Sequence, residues 1–442
     1  MQLSGWGNYP KIKAKVHRFA TAEDLQSLLE CNGEYIVRGL GRSYGDSSLA
    51  SHVISTDNFN RILSFDENKG VVCCQAGIQL KEILNVFIPR GWFLPVTPGT
   101  KFITIGGAIA SDVHGKNHHV DGSFSRHLLE MTVMLGDGRV IKCSPGLEKD
   151  LFWATCGGMG LTGVILTATF RLIRIETAYI HQETLKARNL EHVMELFEAS
   201  NEWTYSVAWI DCRSRGKNLG RSLLMRGEHV TSAGLNEVSS SRSSLKIPVN
   251  RCLSVPFDCP EFLMNQYTIK AFNMLYYQRI RNSIESSAVD YNQFFYPLDS
   301  VHHWNRIYGK RGFIQYQFVL PRSTSEAGMQ RILQEIAKSG LGSFLAVLKL
   351  FGPQEESILS FPEPGYTLGL DFPFKPEVIQ LFNKLDYLVL HYGGKLYLTK
   401  DACMSSYMFK NSYQDNQKFS SLKWRFDISG KFQSIQSKRL EI

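Results

Sequence analysis

Several common signatures are absent from this sequence of 442 residues. No run of about 18 apolar residues occurs, which excludes a membrane-spanning helix. The opening segment, MQLSGWGNYPKIKAKVHRF, contains no apolar core and therefore does not predict a secretory signal. The nine cysteines show no metal-type spacing, and their odd number fits a reducing compartment better than a disulfide framework. We therefore expect a cytoplasmic protein.

Familiar catalytic and nucleotide-binding motifs are also missing. There is no Walker loop, and GRSYG at 41–45 is not followed by the helix of a nucleophile elbow. The glycines Gly39, Gly41 and Gly45 do not have the G-x-G-x-x-G spacing of a Rossmann fold, and no helix follows them. The net charge of +8 suits an anionic cofactor, an anionic substrate or an acidic membrane face, and does not require nucleic acid.

The most distinctive stretch is residues 98–119, PGTKFITIGGAIASDVHGKNHH. It is rich in glycine and other small residues, and no charged side chain lies between Lys101 and Asp112. Glycine lets another molecule approach the backbone closely, and successive free N–H groups form a concavity that binds anions. The stretch predicts a pyrophosphate cradle that merges into a flavin site. The alternative is a tight glycine-rich hairpin with a solvated basic end.

Two further glycine-rich turns occur nearby, at 38–46 and 157–163. We expect each of the three turns to lead into a strand and not a helix, so that loop amides would bind the phosphates. Around them the pattern predicts several regular elements. These are a helix over 21–32 capped by Thr21, a helix over 80–87 between strands at 71–76 and 92–96, and a hairpin over 128–144.

The composition changes near Ala178, where glycine thins out and aromatic residues increase. Strands at 205–212 and 312–321 alternate with helices such as 329–340, which predicts an α+β domain with helices on one face of a sheet. We expect a first domain over 1–178, a second over 179–394, and a return of 395–442 to the first. The serine-rich segment 231–249 predicts a mobile loop, and 262–281 predicts either a core helix or an apolar lip that meets lipid.

The titratable residues suggest a redox site. Oxidation of an alcohol by a flavin requires a base for the hydroxyl proton and positive charge near the developing anion. We expect His114 to act as base or orienter and Lys400 as the cation; alternatively, Lys400 forms an ion pair with Asp401 on a surface strand. His114, His118 and His119 do not predict a metal site, because Gly115 interrupts a shared helix face and no cysteine or carboxylate completes the set.

A basic run stands apart from these candidates. It carries five cations and no acid among them: Arg213, Arg215, Lys217, Arg221 and Arg226. It predicts either a contact with a lipid phosphate at an acidic membrane face or a solvated loop, and the first possibility would make the protein peripheral on the inner face of a membrane.

Four motifs resemble the PCMH-type FAD-binding domain of the vanillyl-alcohol-oxidase superfamily. They are RGLGRSYGD at 38–46, PGT at 98–100, TIGGAIASDVHGKNHH at 104–119 and FWATCGGMGLTG at 152–163. Within that superfamily the chain is most similar to the polyprenylphosphoryl-ribose oxidases. That likeness continues through AWIDC at 208–212, WNRIYG at 304–309, GFIQYQFV at 312–319, LKLFGP at 348–353, LSFPEPGY at 359–366 and LYLTKD at 396–401.

The resemblance implies an α+β, two-domain fold in which a mixed-sheet substrate domain caps the flavin of a bound FAD. Superfamily members that bind flavin covalently carry histidine in the first glycine loop, where this chain has Arg42, so non-covalent FAD is implied. Matching by motif gives these FAD contacts: Val37, Arg38, Gly39, Leu40, Gly41, Arg42, Ser43, Tyr44, Gly45, Asp46, Ser47, Gly99, Thr100, Thr104, Ile105, Gly106, Gly107, Ser111, Asp112, Val113, His114, Ile165 and Tyr397.

The same matching implies an activity and its residues. Family members oxidise the ribose 2′-hydroxyl of a polyprenyl-phosphate sugar to the 2′-keto form. A reductase of the short-chain dehydrogenase type then completes epimerisation to the D-arabinose donor used in the cell envelope. The implied catalytic residues are Lys400, His114 and Tyr44, and the implied substrate-side residues are Trp209, Gln315, Gln317, Lys349 and Lys400.

Some positions depart from the family pattern. Gly369 stands where mycobacterial members have cysteine, and Phe295, followed by Tyr296, replaces the tyrosine of a Q-F-Y-H-P motif. These departures leave the flavin chemistry in place and concern the sugar and the lipid that the site accepts. Two other functions stay open: a soluble alditol or aldonolactone oxidase that reduces oxygen directly, and a non-catalytic flavoprotein acting as an assembly partner.

Overall fold

A computed structural model describes residues 1–238, 244–246 and 253–442. In chain order the strands are β1 (Gln2–Ser4), β2 (Lys11–Lys13), β3 (Lys15–Arg18), β4 (Tyr35–Arg38), β5 (His52–Ser55), β6 (Ile62–Asp66), β7 (Val71–Gln75), β8 (Trp92–Phe93), β9 (Leu128–Met134), β10 (Val140–Cys143), β11 (Val164–Arg171), β12 (Ile173–Arg174), β13 (Tyr179–Ala187), β14 (Tyr205–Ile210), β15 (Ser222–His229), β16 (Leu253–Ser254), β17 (Ile284–Asp290), β18 (Val301–His302), β19 (Phe313–Pro321), β20 (Ala346–Phe351), β21 (Gly365–Pro373) and β22 (Lys395–Leu396).

The α-helices are α1 (Ala22–Glu30), α2 (Leu80–Phe87), α3 (Ile105–Ala110), α4 (His118–Asp121), α5 (Lys149–Thr155), α6 (Leu190–Glu198), α7 (Ser232–Val238), α8 (Gln266–Gln278), α9 (Tyr291–Phe295), α10 (Ser325–Ser339), α11 (Pro376–His391), α12 (Ser406–Ser412), α13 (Asn416–Phe426) and α14 (Ile435–Leu440). Short 3-10 turns, among them Glu261–Leu263 just before α8, complete the regular structure of the described ranges.

Two sheets organise the first part of the chain. Strands β10-β9-β11-β7-β6 form an antiparallel sheet, and β3-β5-β4 form a small parallel one. Helix α1 buries Leu25 and Leu29 beside Ile54 of the parallel sheet and Leu166 of the antiparallel sheet. The mixed helices and sheets are consistent with the α+β class that the sequence predicts.

The second part is built on one large antiparallel sheet, β17-β13-β15-β14-β20-β21-β19-β22. Successive strand residues point to opposite faces, so each strand divides its side chains between two environments. On β19, Ile314, Tyr316 and Phe318 join the core with helices α10 and α11, whereas Gln315 and Gln317 point to the other face. One face of the sheet is therefore covered by helices, and the other is free to form the wall of a site.

Most local expectations for the first part are confirmed. Helix α1 begins after Thr21, whose Oγ1 accepts from the N–H of Asp24 at 3.1 Å, and the Asp24 carboxylate accepts from the N–H of Thr21 in return. Such a reciprocal cap satisfies two N–H groups that a helix start leaves free. Helix α2 and the β9–β10 hairpin also form where the sequence predicts them.

The expectation that no helix follows a glycine turn is wrong at one place. Residues 105–110 form helix α3, although they include two glycines that disfavour a helix by about 1 kcal/mol each. Thr104 caps this helix by accepting from the N–H of Gly107, and Ile105 and Ile109 are fully buried. Packing overrides propensity here, because Gly106 lies so close to Ala76 that an added Cβ would be 3.1 Å away.

The later segments have mixed outcomes. Residues 266–278 form helix α8, but only Ile269 and Asn273 of it are buried and several large apolar side chains are exposed, so it is not a core helix; the lipid contact stays a prediction. The loop predicted over 231–249 contains helix α7 at its start, and most of its remainder lies outside the described residues. The last residues contact both halves: β22 pairs with β19, and Phe432 forms a bridge with Tyr35. The division into domains at 178 and 394 stays a prediction.

Candidate active site

A cavity of about 980 Å³ lies between the glycine-rich turns and the open face of the large sheet. Its volume is at the upper end of the range of about 300–1,000 Å³ usual for small-molecule sites. One wall consists of residues 39–44, 97–100, 103, 104, 106, 107, 110, 111, 113–116, 159, 160 and 163, and the other consists of side chains from β14, β19, β20 and β21. The three glycine turns therefore meet at one site.

The first glycine turn offers unpaired backbone donors. In the part of the chain that the structure describes, none of the N–H groups of residues 40–43 donates to a carbonyl or a side chain. Gly41 has a positive φ of 63°, which a side chain would strain. The Arg38 guanidinium donates to Ser4 O at 2.7 Å and to Ser48 Oγ at 3.2 Å, and so shapes the turn from behind. The turn is an anion cradle of backbone amides.

The second turn packs directly on the first. A Cβ added to Gly39 would lie 2.4 Å from Thr104 Oγ1, the atom that caps α3. Gly99, by contrast, borders open space in the cavity, with no heavy atom within 4 Å of an added Cβ. Free amides, a crowded glycine and an open glycine along one wall fit an extended dinucleotide such as FAD, which would rest against residues 39–44, 97–100, 104, 106, 107, 110, 111 and 113–116.

The register of the large sheet arranges the opposite wall. Gln315 is paired with Asp371 and Gln317 with Gly369 across β19 and β21, and Lys349 of β20 is paired with Thr367. All of these side chains share one face because they are two residues apart along their strands. Trp209 belongs to the same wall, and its indole N–H donates to Phe344 O at 2.9 Å. The substrate-side residues expected from the resemblance are therefore brought together.

Lys400 lies on a segment that crosses from the sheet to the first glycine turn. The N–H of Tyr44 donates to Thr399 O at 3.0 Å, and Lys400 Nζ is 3.8 Å from the centre of the Tyr44 ring. The alternative pairing with Asp401 is wrong, because the Asp401 carboxylate binds Arg439 at 2.8 Å. Burial lowers the pKa of Lys400 to about 7, the charge of Asp371 acts in the opposite direction, and Lys349 lowers the pKa further.

Two further lysines, Lys349 and Lys116, line the same cavity. Burial lowers the pKa of Lys349 to about 8 and, together with the charge of Lys349, lowers the pKa of Lys116 to about 7. Lys116 Nζ also lies 4.2 Å from the centre of the Phe294 ring and donates to the carbonyl oxygen of Phe294. An anion that entered the cavity would favour the charged forms of these lysines, so the site is prepared to bind negative charge.

His114 is enclosed by aromatic rings. Its ring centre is 4.7 Å from that of Phe351 and 5.1 Å from that of Tyr397, whose hydroxyl donates to Ser111 O. Its Nε2 is 3.3 Å from the amide nitrogen of Gln317, and its buried Nδ1 has no hydrogen-bond partner among the residues that the structure describes. Burial and the charge of Lys349 hold the pKa of His114 well below its usual range, so the imidazole is neutral at neutral pH.

Asp371 is a site residue that the sequence analysis did not select. It is fully buried, and one carboxylate oxygen accepts from Gln315 Nε2 at 2.5 Å. The other oxygen has no partner within the described part of the chain. Burial raises its pKa, which the Gln315 hydrogen bond and Lys400 oppose. The signal for it is register, because it is two residues beyond Gly369 on β21 and opposite Gln315 on β19.

Most of the expected FAD and substrate contacts border the cavity. Those that do are Val37, Gly39, Leu40, Gly41, Arg42, Ser43, Tyr44, Ser47, Gly99, Thr100, Thr104, Gly106, Gly107, Ser111, Val113, His114, Ile165, Tyr397, Trp209, Gln315, Gln317, Lys349 and Lys400. Lys116 joins them although it was not selected. The site residues implied by the resemblance are thus gathered mainly in one place.

Five expected contacts lie behind the wall instead: Arg38, Gly45, Asp46, Ile105 and Asp112. Asp46 forms an ion pair with Arg439 at 2.8 Å, and the Asp112 carboxylate accepts from Ser123 Oγ and Ser360 Oγ, each at 2.7 Å. A Cβ on Gly45 would lie 1.9 Å from Asp401 O. These positions hold the turns in place, because their side chains or backbones are occupied by the protein itself.

The two histidines that follow His114 in the sequence, His118 and His119, hydrogen-bond to different parts of the protein. His118 Nδ1 accepts from the N–H of Gly352 at 3.2 Å, and His119 Nε2 is 2.9 Å from Trp203 O. Within the described ranges, no group of three potential ligands from histidine, cysteine and carboxylate residues is close enough to hold a metal ion.

Comparison with known proteins agrees with this geometry. A family model described as an FAD binding domain matches residues 14–144. The decaprenylphosphoryl-β-D-ribose oxidase of Mycolicibacterium smegmatis is 36% identical over 456 aligned residues, which cover 100% of this chain and 97% of that protein. The L-gulonolactone oxidase of Mus musculus is 30% identical over 31% of this chain and 32% of its own length. The D-arabinono-1,4-lactone oxidase of Yarrowia lipolytica is 24% identical over 42% of this chain and 36% of its own length.

The similarity to the mycobacterial protein extends through both walls of the cavity, whereas the two lactone oxidases match less than half of the chain. The family model covers the first two glycine turns, where the unpaired amides lie. This chain therefore belongs to the family of FAD-dependent oxidoreductases that includes the decaprenylphosphoryl-β-D-ribose oxidase of Mycolicibacterium smegmatis.

Proposed function

We propose that this protein oxidises the 2′-hydroxyl of a ribose carried by a polyprenyl phosphate and releases the 2′-keto sugar. Bound FAD would supply the oxidation by accepting hydride from the sugar carbon. The observation that carries the proposal is the set of half-buried lysines, Lys116, Lys349 and Lys400, that line the cavity opposite or beside the glycine turns. A free sugar has no anion for such a set, whereas a sugar phosphate does.

Two residues would stabilise the developing negative charge and accept the hydroxyl proton during the oxidation. Lys400 presents a cation between the first glycine turn and the sheet, where negative charge develops as the alcohol is oxidised. His114 is neutral at neutral pH and can accept the hydroxyl proton, with Gln317 beside it to orient the ring. Tyr44 supports Lys400 with the face of its ring, which attracts a cation.

The rest of the sheet wall would select the sugar. Gln315, Gln317 and Thr367 supply amide and hydroxyl groups that can hydrogen-bond to sugar hydroxyls, and Trp209 supplies an apolar surface. Polar groups placed this way reject substrates that lack the matching hydroxyls, because they would then be left unpaired. The FAD would be held without a covalent link, since Arg42 occupies the loop position where a linking histidine would stand.

The product defines a following reaction. A 2′-keto sugar becomes the arabinose epimer only when a hydride is returned to the same carbon from the other face. We therefore propose that a nicotinamide-dependent reductase of the short-chain dehydrogenase type consumes the product. We also propose that residues 1–178 with 395–442 form the FAD-binding domain and that 179–394 form the substrate-binding domain.

Anaerobic reduction of the flavin tests the proposed reaction. The purified FAD-loaded protein is mixed with polyprenylphosphoryl ribose, with free alditols and with aldonolactones, and loss of the visible flavin absorbance is followed. We expect rapid bleaching by the sugar phosphate only. Bleaching by alditols or aldonolactones, with stoichiometric peroxide in air and no response to the lipid-linked ribose, would instead identify a soluble sugar oxidase. Acid precipitation checks the linkage, because non-covalent FAD stays in the supernatant.

A further inference from the structure

We propose that the exposed face of helix α8 and the turn before it dock on a membrane surface that contains anionic lipids. We call this surface the apolar patch and define it by Phe257, Phe262, Tyr267, Phe272, Met274 and Leu275. The proposal concerns where the protein works and goes beyond the reaction proposed above.

Within the described residues, exposed large apolar side chains are concentrated in the stretch that contains the apolar patch. Eight of the eighteen large hydrophobic side chains that are exposed in the described ranges fall within residues 253–275. Phe262 is 74% exposed, Tyr267 75% and Leu275 64%. Single exposed apolar residues are ordinary, but a concentration of them marks an interaction site.

The periodicity of α8 shows that this exposure is organised. Ile269 and Asn273, one turn apart, are buried, and Asn273 Nδ2 donates to Asp211 Oδ1 at 2.9 Å and to Ser343 O at 3.3 Å. Tyr267 and Met274 lie two turns apart on the opposite face. A helix on a protein in water normally turns polar residues outwards, whereas α8 presents aromatic and aliphatic residues there.

The charges around the patch indicate an anionic partner. Helix α8 carries Lys270 and no acidic residue, and Arg279 and Arg281 follow its end; all three are exposed. Glu261, in the turn before the helix, is paired with Arg311 at 3.0 Å. Two copies of this surface would bring like charges together, which disfavours self-association. An apolar face with flanking cations fits a bilayer that contains anionic lipids.

The apolar patch is continuous with the wall of the cavity. Phe272 is exposed and also lines the cavity, and its ring centre is 5.7 Å from that of Tyr276. Tyr276 is in turn 4.7 Å from Trp209, and Arg279 lies 4.0 Å from the Tyr276 ring. Docking through this patch would place the cavity next to the bilayer surface. If the proposed reaction holds, a polyprenyl chain could stay in lipid while its sugar reaches Lys400.

The basic run at 213–226 is less suited to this role than the sequence suggested. Arg221 is paired with Asp211 at 2.8 Å and Arg226 with Glu183 at 2.7 Å. Arg213 donates to Leu341 O at 3.3 Å, and Arg215 donates to Ala337 O. Four of the five cations are thus engaged within the protein, which leaves Lys217, and the membrane contact is assigned to the apolar patch. No helix in the described ranges is suited to cross the bilayer, so the contact would be at its surface.

Vesicle sedimentation with the full-length FAD-loaded protein tests the proposal. The vesicles contain phosphatidylcholine with phosphatidylglycerol, and pure phosphatidylcholine serves for comparison. The double variant Phe262→Asp/Leu275→Asp alters two patch residues that do not line the cavity. The matched control, Tyr387→Asp/Trp424→Asp, alters two residues that are equally exposed elsewhere, at 70% and 66%. FAD content and melting temperature establish that each variant is folded.

We expect the wild type and the control to sediment with anionic vesicles and the patch variant to partition at least tenfold less. A wild type that stays in solution, or a patch variant that partitions like the wild type, would overturn the proposal. If the patch variant instead converts a dimer to a monomer without any vesicle binding, the face is a protein interface and the proposal is wrong.

A second readout separates this inference from the proposed reaction. Flavin reduction by a short-chain, detergent-dispersed phosphoprenyl ribose should be the same in the wild type and the patch variant, because neither substituted residue borders the cavity. If the wild type binds vesicles but no sugar phosphate bleaches its flavin, the reaction fails and the docking surface stands. If the sugar phosphate bleaches the flavin but the wild type does not bind vesicles, the proposed reaction stands and the docking surface is wrong.

Discussion

Replacing Lys400 by alanine tests the proposed electrostatics most directly. The variant loses the buried ammonium group that lies 3.8 Å from the Tyr44 ring, whereas the glycine turns are unchanged. Removing one preorganised group that stabilises developing charge costs a factor of about 10²–10³, or about 2.7–4 kcal/mol, in the chemical step. We therefore expect Lys400→Ala to retain FAD and to slow its reduction by the sugar phosphate at least 100-fold, or about 2.7 kcal/mol.

The pKa of Lys400 adds a signature that a merely structural residue would not give. With a pKa lowered by burial to about 7, Lys400 should lose its charge as the pH rises from neutral to mildly alkaline values. The second-order rate of flavin reduction should therefore fall as the pH rises through that range. Arginine stays protonated throughout, so Lys400→Arg should be slower at pH 7 because of its different shape, but nearly independent of pH.

Anaerobic stopped-flow absorbance at subsaturating substrate measures this rate, which reports groups of the free enzyme. FAD content and melting temperature should match the wild type in both variants. Reduction of Lys400→Ala at the wild-type rate would refute the role assigned to Lys400. An alkaline fall in Lys400→Arg equal to that of the wild type would show that another group causes the pH dependence.

Three further substitutions address the surroundings of the site. Asp371→Asn removes the carboxylate that raises the pKa of Lys400, so the alkaline fall of flavin reduction should move to lower pH; an unmoved profile would contradict the coupling. Gly39→Ala would press a Cβ against Thr104, and we expect at least tenfold weaker FAD binding by fluorescence titration, whereas Gly146→Ala, which meets no atom within 4 Å, should bind normally. Arg439→Met leaves the carboxylates of Asp46 and Asp401 buried, and chemical denaturation should show an unfolding free energy about 3–5 kcal/mol lower, with Arg439→Lys less affected.

Local signals predicted the elements that depend on local physics. The helix predicted over 21–32 from the Thr21 cap is α1, and the hairpin predicted over 128–144 is formed by β9 and β10. Helix α3 was missed because its two glycines argue against a helix. The helix forms because it packs against Ala76, which lies about thirty positions earlier and cannot be recognised as a neighbour from local sequence.

The site was predictable in part for the same reason. The glycine turns are contiguous motifs, so the unpaired amides of residues 40–43 could be anticipated from sequence. Asp371 could not, because its importance comes from facing Gln315 across two strands that are more than fifty residues apart. The sequence also left two roles open for Lys400, a cation in the redox site or an ion pair with Asp401. Only the fold decides between them, because the Asp401 carboxylate pairs with Arg439, which lies nearly forty residues further along the chain.

The position of Arg439 has a practical consequence for work on this protein. Its guanidinium joins Asp46, beside the first glycine turn, to Asp401, which adjoins Lys400, and the backbone carbonyl of the final residue accepts from Lys423 Nζ at 3.0 Å. Truncating the chain before Arg439 would therefore loosen the first glycine turn and the segment that carries Lys400 together.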